Sequence, residues 1–297
     1  MNFGSLMTAM ITPFDKELNI DYEQAGRLAR YLVQNSTESI ILAGTTGESP
    51  TLTEAEKEQL FLVVKEAVGN DAKIIMGAGS NDTAGTVKAV KKAESMGADG
   101  VMLVVPYYNK PSQEGLYEHF KEAAGSSDLP VILYNIPGRC SCNMLPETVC
   151  RLAEIRQIKA IKEASGSLDQ IMAIRQYAAD DFLIYSGDDS MTLPILSVGG
   201  SGIISVASHL AGPVIAKMIK AWQQGDTALA ADLNTRLYPL FKALFIAPNP
   251  APLKYALGQY GFDTNHLRLP LVPLNADEQA MVDKAVNQFK RVTKSVG

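Results

Sequence analysis

Short apolar runs alternate along the chain with longer segments in which apolar residues recur at helical spacing. The longer segments predict amphipathic helices, for instance over Tyr22–Gln34, Glu54–Val68, Thr83–Met96 and Glu114–Ala124. The short runs predict eight buried strands, over Ser5–Thr12, Ser39–Leu42, Lys73–Met76, Gly100–Val104, Val131–Asn135, Ala160–Lys162, Phe182–Ser186 and Gly202–Ser205.

This alternation continues to about Gln224 and is typical of a parallel sheet covered by helices on both faces. Eight such units predict an α/β fold, a (β/α)₈ TIM barrel over residues 1–224. A doubly wound open sheet is the alternative, although no Gly-x-Gly-x-x-Gly follows the first strand. Beyond it the patterns are helical only, and we predict a C-terminal helical extension over residues 225–297, packed on the barrel, with helices over Thr227–Ile246, Ala251–Tyr260 and Ala276–Val292.

Composition and charge exclude several classes of protein. The 297 residues are 46% hydrophobic and 20% charged, which is too apolar for a disordered chain. A net charge of −5 without a basic cluster argues against nucleic acid as a partner. The three cysteines, Cys140, Cys142 and Cys150, favour a reducing compartment and leave any redox role open.

One uncharged segment has the length of a membrane span. Ser190–Ala216 carries no Asp, Glu, Lys or Arg and is long enough to cross a bilayer. Pro194, Pro213 and the run Gly199–Gly202 would break a spanning helix where lipid cannot satisfy the backbone. Since the chain start also lacks a signal-peptide pattern, we expect no membrane partner and a cytoplasmic location.

Lys162 is the sharpest candidate for chemistry, because segments that follow barrel strands build the active site. Ile158, Ala160 and Lys162 share one strand face, which points the amine inward. Desolvation lowers the pKa of such a lysine and makes its amine a nucleophile toward carbonyls. The alternative is a lysine at the strand terminus whose amine reaches solvent.

Three further strand ends carry candidate residues. After the second strand, Thr45 and Thr46 lie between glycines and could seat a small carboxylate, although such a turn can be purely structural. After the fourth strand, Tyr107 and Tyr108 suit either packing or chemistry. After the fifth, Arg139 could bind a carboxylate through two hydrogen bonds or form a surface ion pair.

Metal and cofactor chemistry has no sequence support. His119, His209 and His266 are scattered without ligand spacing, so no metal site is expected. Because no nucleotide-binding or phosphate-binding motif follows a strand, we expect no cofactor.

Four motifs together resemble the family of 4-hydroxy-tetrahydrodipicolinate synthases, also called dihydrodipicolinate synthases. They are Gly44–Glu48, Tyr107–Gly115, Tyr134–Arg139 and Ile161–Gly166, and the resemblance runs through nearly the whole chain. It implies a class I aldolase barrel that acts without a cofactor, usually as a homotetramer built as a dimer of dimers. The implied reaction condenses pyruvate with aspartate 4-semialdehyde in lysine and diaminopimelate biosynthesis.

The resemblance also implies roles for the catalytic residues. Lys162 would form a Schiff base with pyruvate, and the derived enamine would attack the semialdehyde. Tyr134 would pass protons in a hydroxyl relay with Thr45 and Tyr108, the last supplied by a neighbouring subunit.

Substrate binding is implied at four other positions. Thr46, together with Thr45, would hold the pyruvate carboxylate, and Arg139 would bind the carboxylate of the semialdehyde. The backbone carbonyls of Gly187 and Ile204 would lie near the imine.

A possible effector site is implied by lysine-inhibited relatives of this family, which bind lysine at a dimer interface. Ser49, Asn81 and Tyr107 match positions that line it. Gly85 replaces a glutamate of the enteric enzymes, and Lys57 replaces a histidine and adds a positive charge. We therefore expect weak or absent feedback by lysine.

Two other functions stay open. One is another pyruvate-dependent lyase of the superfamily, such as N-acetylneuraminate lyase or a keto-deoxy sugar acid aldolase; these generally lack the arginine at position 139. The other is a non-catalytic barrel used for binding, although such proteins tend to lose the nucleophile at position 162.

Overall fold

The structure is a computed structural model that describes residues 3–293. Its strands form one closed barrel in chain order, which confirms the predicted (β/α)₈ fold with C-terminal helices. The strands are β1 (Leu6–Ala9), β2 (Ser39–Leu42), β3 (Lys73–Gly77), β4 (Gly100–Val104), β5 (Val131–Asn135), β6 (Ile158–Glu163), β7 (Leu183–Ser186) and β8 (Gly202–Ser205).

Helices follow the strands, and three of them have the predicted bounds because their caps are encoded locally. Thr53 and Glu56 form a capping box, in which the Thr53 amide donates to Glu56 at 2.8 Å. The helices are α1 (Tyr22–Gln34), α2 (Glu54–Val68), α3 (Thr83–Met96), α4 (Gln113–Gly125), α5 (Pro137–Cys140), α6 (Pro146–Ala153), α7 (Leu168–Tyr177), α8 (Thr192–Ser197), α9 (Ser208–Gln223), α10 (Thr227–Ala243), α11 (Ala251–Leu257) and α12 (Ala276–Thr293).

The first of two compact units contains residues 3–4 and Lys73–Ile204. Its strands pair in parallel, and Tyr134 of β5 stands opposite Lys162 of β6. β6 is longer than predicted at both ends: it begins at Ile158, and its polar end residue, Glu163, is buried and remains in the ladder. Burial of a charged group is invisible to a pattern of hydrophobicity.

The second compact unit contains Ser5–Ala72 and, of the described residues, 205–293. β1 pairs in parallel with β2 and ends at Ala9, earlier than predicted, although the chain stays buried through Phe14. The apolar run continues beyond the last residue of the ladder, so the hydrophobic pattern predicted too long a strand. Within this unit α10 packs against α9 and α12, and it ends at Ala243 instead of Ile246. The domain boundary at residue 224 stays a prediction.

The apolar stretch Ser190–Ala216 divides among α8, β8 and the start of α9. The chain turns at Gly199, where φ is +90°, and Pro213 lies inside α9 next to a kink at Ala211. Among the described residues, the helices are too short or too polar to span a membrane.

Candidate active site

Lys162 lies near the carboxyl end of β6 with its side chain in the interior. The residue is 5% exposed, and its Nζ stands over the ring of Tyr134, 4.3 Å from the centroid. Burial lowers the pKa of Lys162 to about 8, since the ammonium loses its hydration. A lysine that is partly neutral near pH 7 can attack a carbonyl carbon.

Tyr134 lies directly across the ladder from Lys162 and is buried. Burial raises the pKa of its phenol, and Arg139 opposes that rise. The hydroxyl therefore stays protonated at neutral pH and can donate a hydrogen bond or pass a proton.

Two charges of opposite sign act on Lys162. Asp189, which is 1% exposed, raises the pKa of Lys162, and Arg139 lowers it. Asp189 begins a short 3₁₀ turn after β7, and Arg139 lies in α5, exposed to solvent. An exposed guanidinium whose charge reaches both Lys162 and Tyr134 can bind an anionic substrate beside the amine.

Gly187 lies against the reactive side chain. A Cβ at this position would stand 3.2 Å from Cε of Lys162 and 2.7 Å from Cβ of Ala164, so only glycine fits without displacement. Its amide donates to the carbonyl of Glu163 at 2.8 Å. Ile204 is buried in β8, which pairs with β7. The first unit thus brings together Lys162, Tyr134, Arg139 and Gly187.

The threonine turn after β2 belongs to the second unit. Thr45 is exposed and Thr46 is buried. The amide of Glu48 donates to the carbonyl of Thr45 at 3.1 Å, which closes the turn on itself. The side chain of Asn249 donates to Oγ1 of Thr46 at 2.9 Å and so fixes the direction of that hydroxyl.

An ion pair without solvent exposure lies behind the same turn. Nζ of Lys254, in α11, is 2.5 Å from Oε1 of Glu48, and both side chains are 0% exposed. Burial lowers the pKa of Lys254 to about 8, and Glu48 opposes this shift. The amine also donates to the carbonyl of His266 at 2.8 Å and stands 4.2 Å from the centroid of the Phe14 ring. These contacts tie the turn to the C-terminal helices.

Tyr107 and Tyr108 lie on the loop after β4 and point away from the protein interior. Tyr108 is 88% exposed, with a φ of +76°, a conformation that costs energy for a residue with a Cβ. Asn109 donates to the carbonyl of Asn81 at 2.8 Å, which holds this loop to the one after β3. Within the single chain, the structure does not bring Tyr108 to Lys162.

The possible effector residues are on the surface or partly buried. Ser49 begins a short 3₁₀ turn, and Asn81 is partly exposed. A Cβ at Gly85 would stand 2.8 Å from Oδ2 of Asp82, which already accepts the Gly85 amide. The amine of Lys57 is 3.0 Å from Glu54, so part of its added charge is neutralised.

A lysine of low pKa over a buried phenol, with the charge of an exposed guanidinium acting on both, suits carbonyl chemistry on anionic substrates. The model of the Dihydrodipicolinate synthetase family matches residues 2–289. The chain belongs to this family. A 4-hydroxy-tetrahydrodipicolinate synthase of Bacillus velezensis is 52% identical over 289 residues, covering 97% of this chain and 100% of that protein.

Solved structures of the dihydrodipicolinate synthetase family agree with the fold. The enzyme of Cyanidioschyzon merolae with lysine bound has a TM-score of 0.95 at 46% identity, covering 97% of this chain and 98% of that one. A structure described as the first monomeric dihydrodipicolinate synthase variant has a TM-score of 0.95 at 41% identity, covering 97% of each chain.

Several residues of this family member escaped the sequence analysis. Asp189 acts on Lys162, while Asn249 and Lys254 contact the threonine turn. No spacing in the sequence predicts these relations, which arise only through the fold. The pair Asn135 and Glu163 had a signal, because each directly follows a candidate site residue at the end of a strand.

Proposed function

We propose that this chain is a 4-hydroxy-tetrahydrodipicolinate synthase, a lyase of the class I aldolase type that condenses pyruvate with aspartate 4-semialdehyde. The observation that carries the proposal is the buried amine of Lys162, whose pKa is lowered to about 8, above the ring of Tyr134. Such an amine attacks the keto carbon of pyruvate and expels water, which leaves an imine on Lys162.

Carbon–carbon bond formation follows from that imine. The methyl group of the bound pyruvate loses a proton, and the resulting enamine carbon attacks the aldehyde carbon of the second substrate. Tyr134 holds a protonated phenol beside the amine of Lys162, which supports a role in passing the protons that both steps require. In the proposed relay Thr45 and Tyr108 connect Tyr134 to solvent.

Arg139 favours a short anionic aldehyde over a sugar. Its guanidinium is exposed and its charge acts on Lys162 and Tyr134, which supports a role in binding the carboxylate of a short aldehyde. The sugar acid aldolases generally lack this arginine. Arg139→Ala should therefore reduce activity with aspartate semialdehyde more than it reduces imine formation with pyruvate.

The matched control for Arg139 is Arg151→Ala. Arg151 is a surface arginine paired with Glu114 at 2.8 Å, and its loss should leave both measurements unchanged. Full activity of Arg139→Ala with the semialdehyde would remove the basis for choosing this substrate.

The remaining binding roles are proposed from the family pattern. Thr45 and Thr46 seat the pyruvate carboxylate, and the Thr46 hydroxyl is held by Asn249. The carbonyls of Gly187 and Ile204 face the imine; the lack of space for a Cβ at Gly187 supports this closeness.

The oligomeric state and the cellular location of the protein are also proposals. We infer a homotetramer in which Tyr108 completes a neighbouring active site, and its 88% exposure on a strained backbone supports a role outside its own subunit. Sedimentation velocity tests the assembly, since a monomeric variant exists among the relatives. We infer a cytoplasmic location, which cell fractionation would test.

Reduction with borohydride in the presence of pyruvate tests the Schiff base. The reduced adduct should appear on the peptide containing Lys162 and should be absent from Lys162→Met. Lys159→Met is the matched control, because Lys159 lies on the same strand and is only half-buried. An adduct on another lysine, or none, would reject the mechanism.

A panel of aldehydes with pyruvate then identifies the second substrate. We expect turnover with aspartate semialdehyde and little with N-acetylmannosamine or glyceraldehyde. The reverse order would favour the lyase alternative, and turnover with none of them would favour a binding protein.

A further inference from the structure

A second pair of facing residues, both polar, comes directly after Tyr134 on β5 and Lys162 on β6. Asn135 follows Tyr134 and Glu163 follows Lys162, and the two stand opposite each other in the ladder. Successive side chains of a strand point to opposite faces. Asn135 is 0% exposed and Glu163 is 1% exposed, so the second pair is buried as deeply as the first.

The carboxylate of Glu163 accepts hydrogen bonds from three donor groups. The donors are the amide of Ser165 at 2.7 Å, the side chain of Gln170 at 3.1 Å and the side chain of Asn135 at 3.2 Å. Because each of these partners donates, the ionised acceptor form of Glu163 fits the network. A buried carboxylate needs such donors, since an unpaired charge in this layer would be costly.

Asn135 connects the hydrogen bonds of Glu163 to the segment that carries Arg139. Its Oδ1 accepts from the amide of Met144 at 3.0 Å, and its Nδ2 donates to Oδ1 of Asn143 at 2.8 Å. These bonds close a loop over residues 136–143, with Arg139 inside it. The loop is also held from α7, where the side chains of Gln170 and Asn143 are 2.9 Å apart.

We propose that Glu163 and Asn135 are positioning residues that hold the Arg139 loop at the distance from Lys162 that a short aldehyde with a carboxylate requires. The inference rests on the proposed function, because it assigns a purpose to Arg139. Neither residue contacts substrate in this scheme; both act through the closed loop. Loss of these positioning contacts should therefore weaken binding of the semialdehyde and leave imine formation with pyruvate intact.

The first variant is Asn135→Asp, which keeps the shape and the acceptor for Met144. It replaces the nitrogen that donates to Glu163 and to Asn143 with an oxygen, so that two carboxylates face each other. We expect the KM for aspartate semialdehyde to rise about tenfold or more. The borohydride-trapped pyruvate adduct on Lys162 should still form, because the imine pocket is on the other face of the strands.

The second variant adds Glu163→Gln to Asn135→Asp. The side-chain amide introduced at position 163 can then donate to the carboxylate introduced at position 135, which restores one donor–acceptor pair with the original net charge. We expect this double variant to recover part of the lost affinity for the semialdehyde, which a merely disrupted core would not do.

A matched control removes a buried hydrogen bond whose partners make no contact with the loop anchors. Thr37 is 3% exposed, and its hydroxyl lies 2.7 Å from that of Thr8. Thr37→Val should leave the KM for both substrates unchanged. If it raised the KM for the semialdehyde as Asn135→Asp does, the positioning role would be refuted.

The remaining outcomes separate this inference from the function. An unchanged KM for the semialdehyde in Asn135→Asp, an equal loss for both substrates, or no recovery in the double variant would overturn the positioning role. Wild-type protein that traps pyruvate but does not turn over the semialdehyde would instead overturn the proposed function.

Discussion

The lowered pKa of Lys162 predicts how imine formation depends on pH, because only the neutral amine attacks a carbonyl. With a pKa of about 8, roughly 9% of Lys162 is neutral at pH 7. For a lysine at its ordinary value of 10.5 the neutral fraction is roughly 0.03%. Burial thus increases the reactive form roughly 300-fold at pH 7. The rate of adduct formation should rise with pH and level off above about 8.

Two substitutions should move this pH midpoint in opposite directions. Asp189 raises the pKa of Lys162, so Asp189→Asn should lower the midpoint and speed adduct formation at neutral pH. Arg139 lowers the same pKa, so Arg139→Leu should raise the midpoint. Asp189→Asn is close to isosteric, and Arg139→Leu shortens an exposed side chain. Both changes should therefore cause little repacking of the core.

The assay is the rate of borohydride-trapped adduct at low pyruvate, followed by mass spectrometry from about pH 6 to about pH 10. Low pyruvate is needed because the rate then reports the pKa of the free enzyme. The midpoint carries the information, since either variant can also change the maximal rate. A wild-type midpoint near 10.5, or shifts of both variants in one direction, would refute the electrostatic argument.

Three further predictions concern the threonine turn and the effector site. Lys254→Met should lower the free energy of unfolding by about 3 kcal/mol in urea titrations, because it leaves Glu48 buried without its cation; an unchanged midpoint would contradict this. Asn249→Ala should raise the KM for pyruvate about fivefold, since it frees the Thr46 hydroxyl, and an unchanged KM would show that the hydroxyl does not bind pyruvate. Lysine should inhibit only weakly, because Gly85 supplies no carboxylate for its ammonium, and half inhibition at submillimolar lysine would contradict this.

The barrel was predictable from the sequence because its strands are short apolar runs and its helices carry local caps. β2, β4, β5 and β8 have the predicted bounds, as do α1, α2 and α3. The errors fall where tertiary burial overrides the pattern. β1 stops before its apolar run does, and β6 extends to Glu163, whose charge is tolerated because three donors surround it.

The candidate site was predictable only in part, for a related reason. Lys162 was found because a lysine on an apolar strand face is unusual, and the structure confirms its burial. Asp189 and Lys254 have no such local signal, since their effects arise from neighbours far away in sequence. The roles of the individual site residues stay predictions.

The ladder between β5 and β6 carries the reactive pair on one face and a buried hydrogen-bonded pair on the other. The register that sets Tyr134 opposite Lys162 also sets Asn135 opposite Glu163. A shift of β6 by one residue would move Lys162 and Glu163 each to the opposite face and separate both pairs. The buried hydrogen bonds of Asn135 and Glu163 therefore favour the register in which the amine meets the phenol. The stability of the polar pair and the geometry of the reactive pair are therefore one property of the ladder, because any change of register would lose both at once.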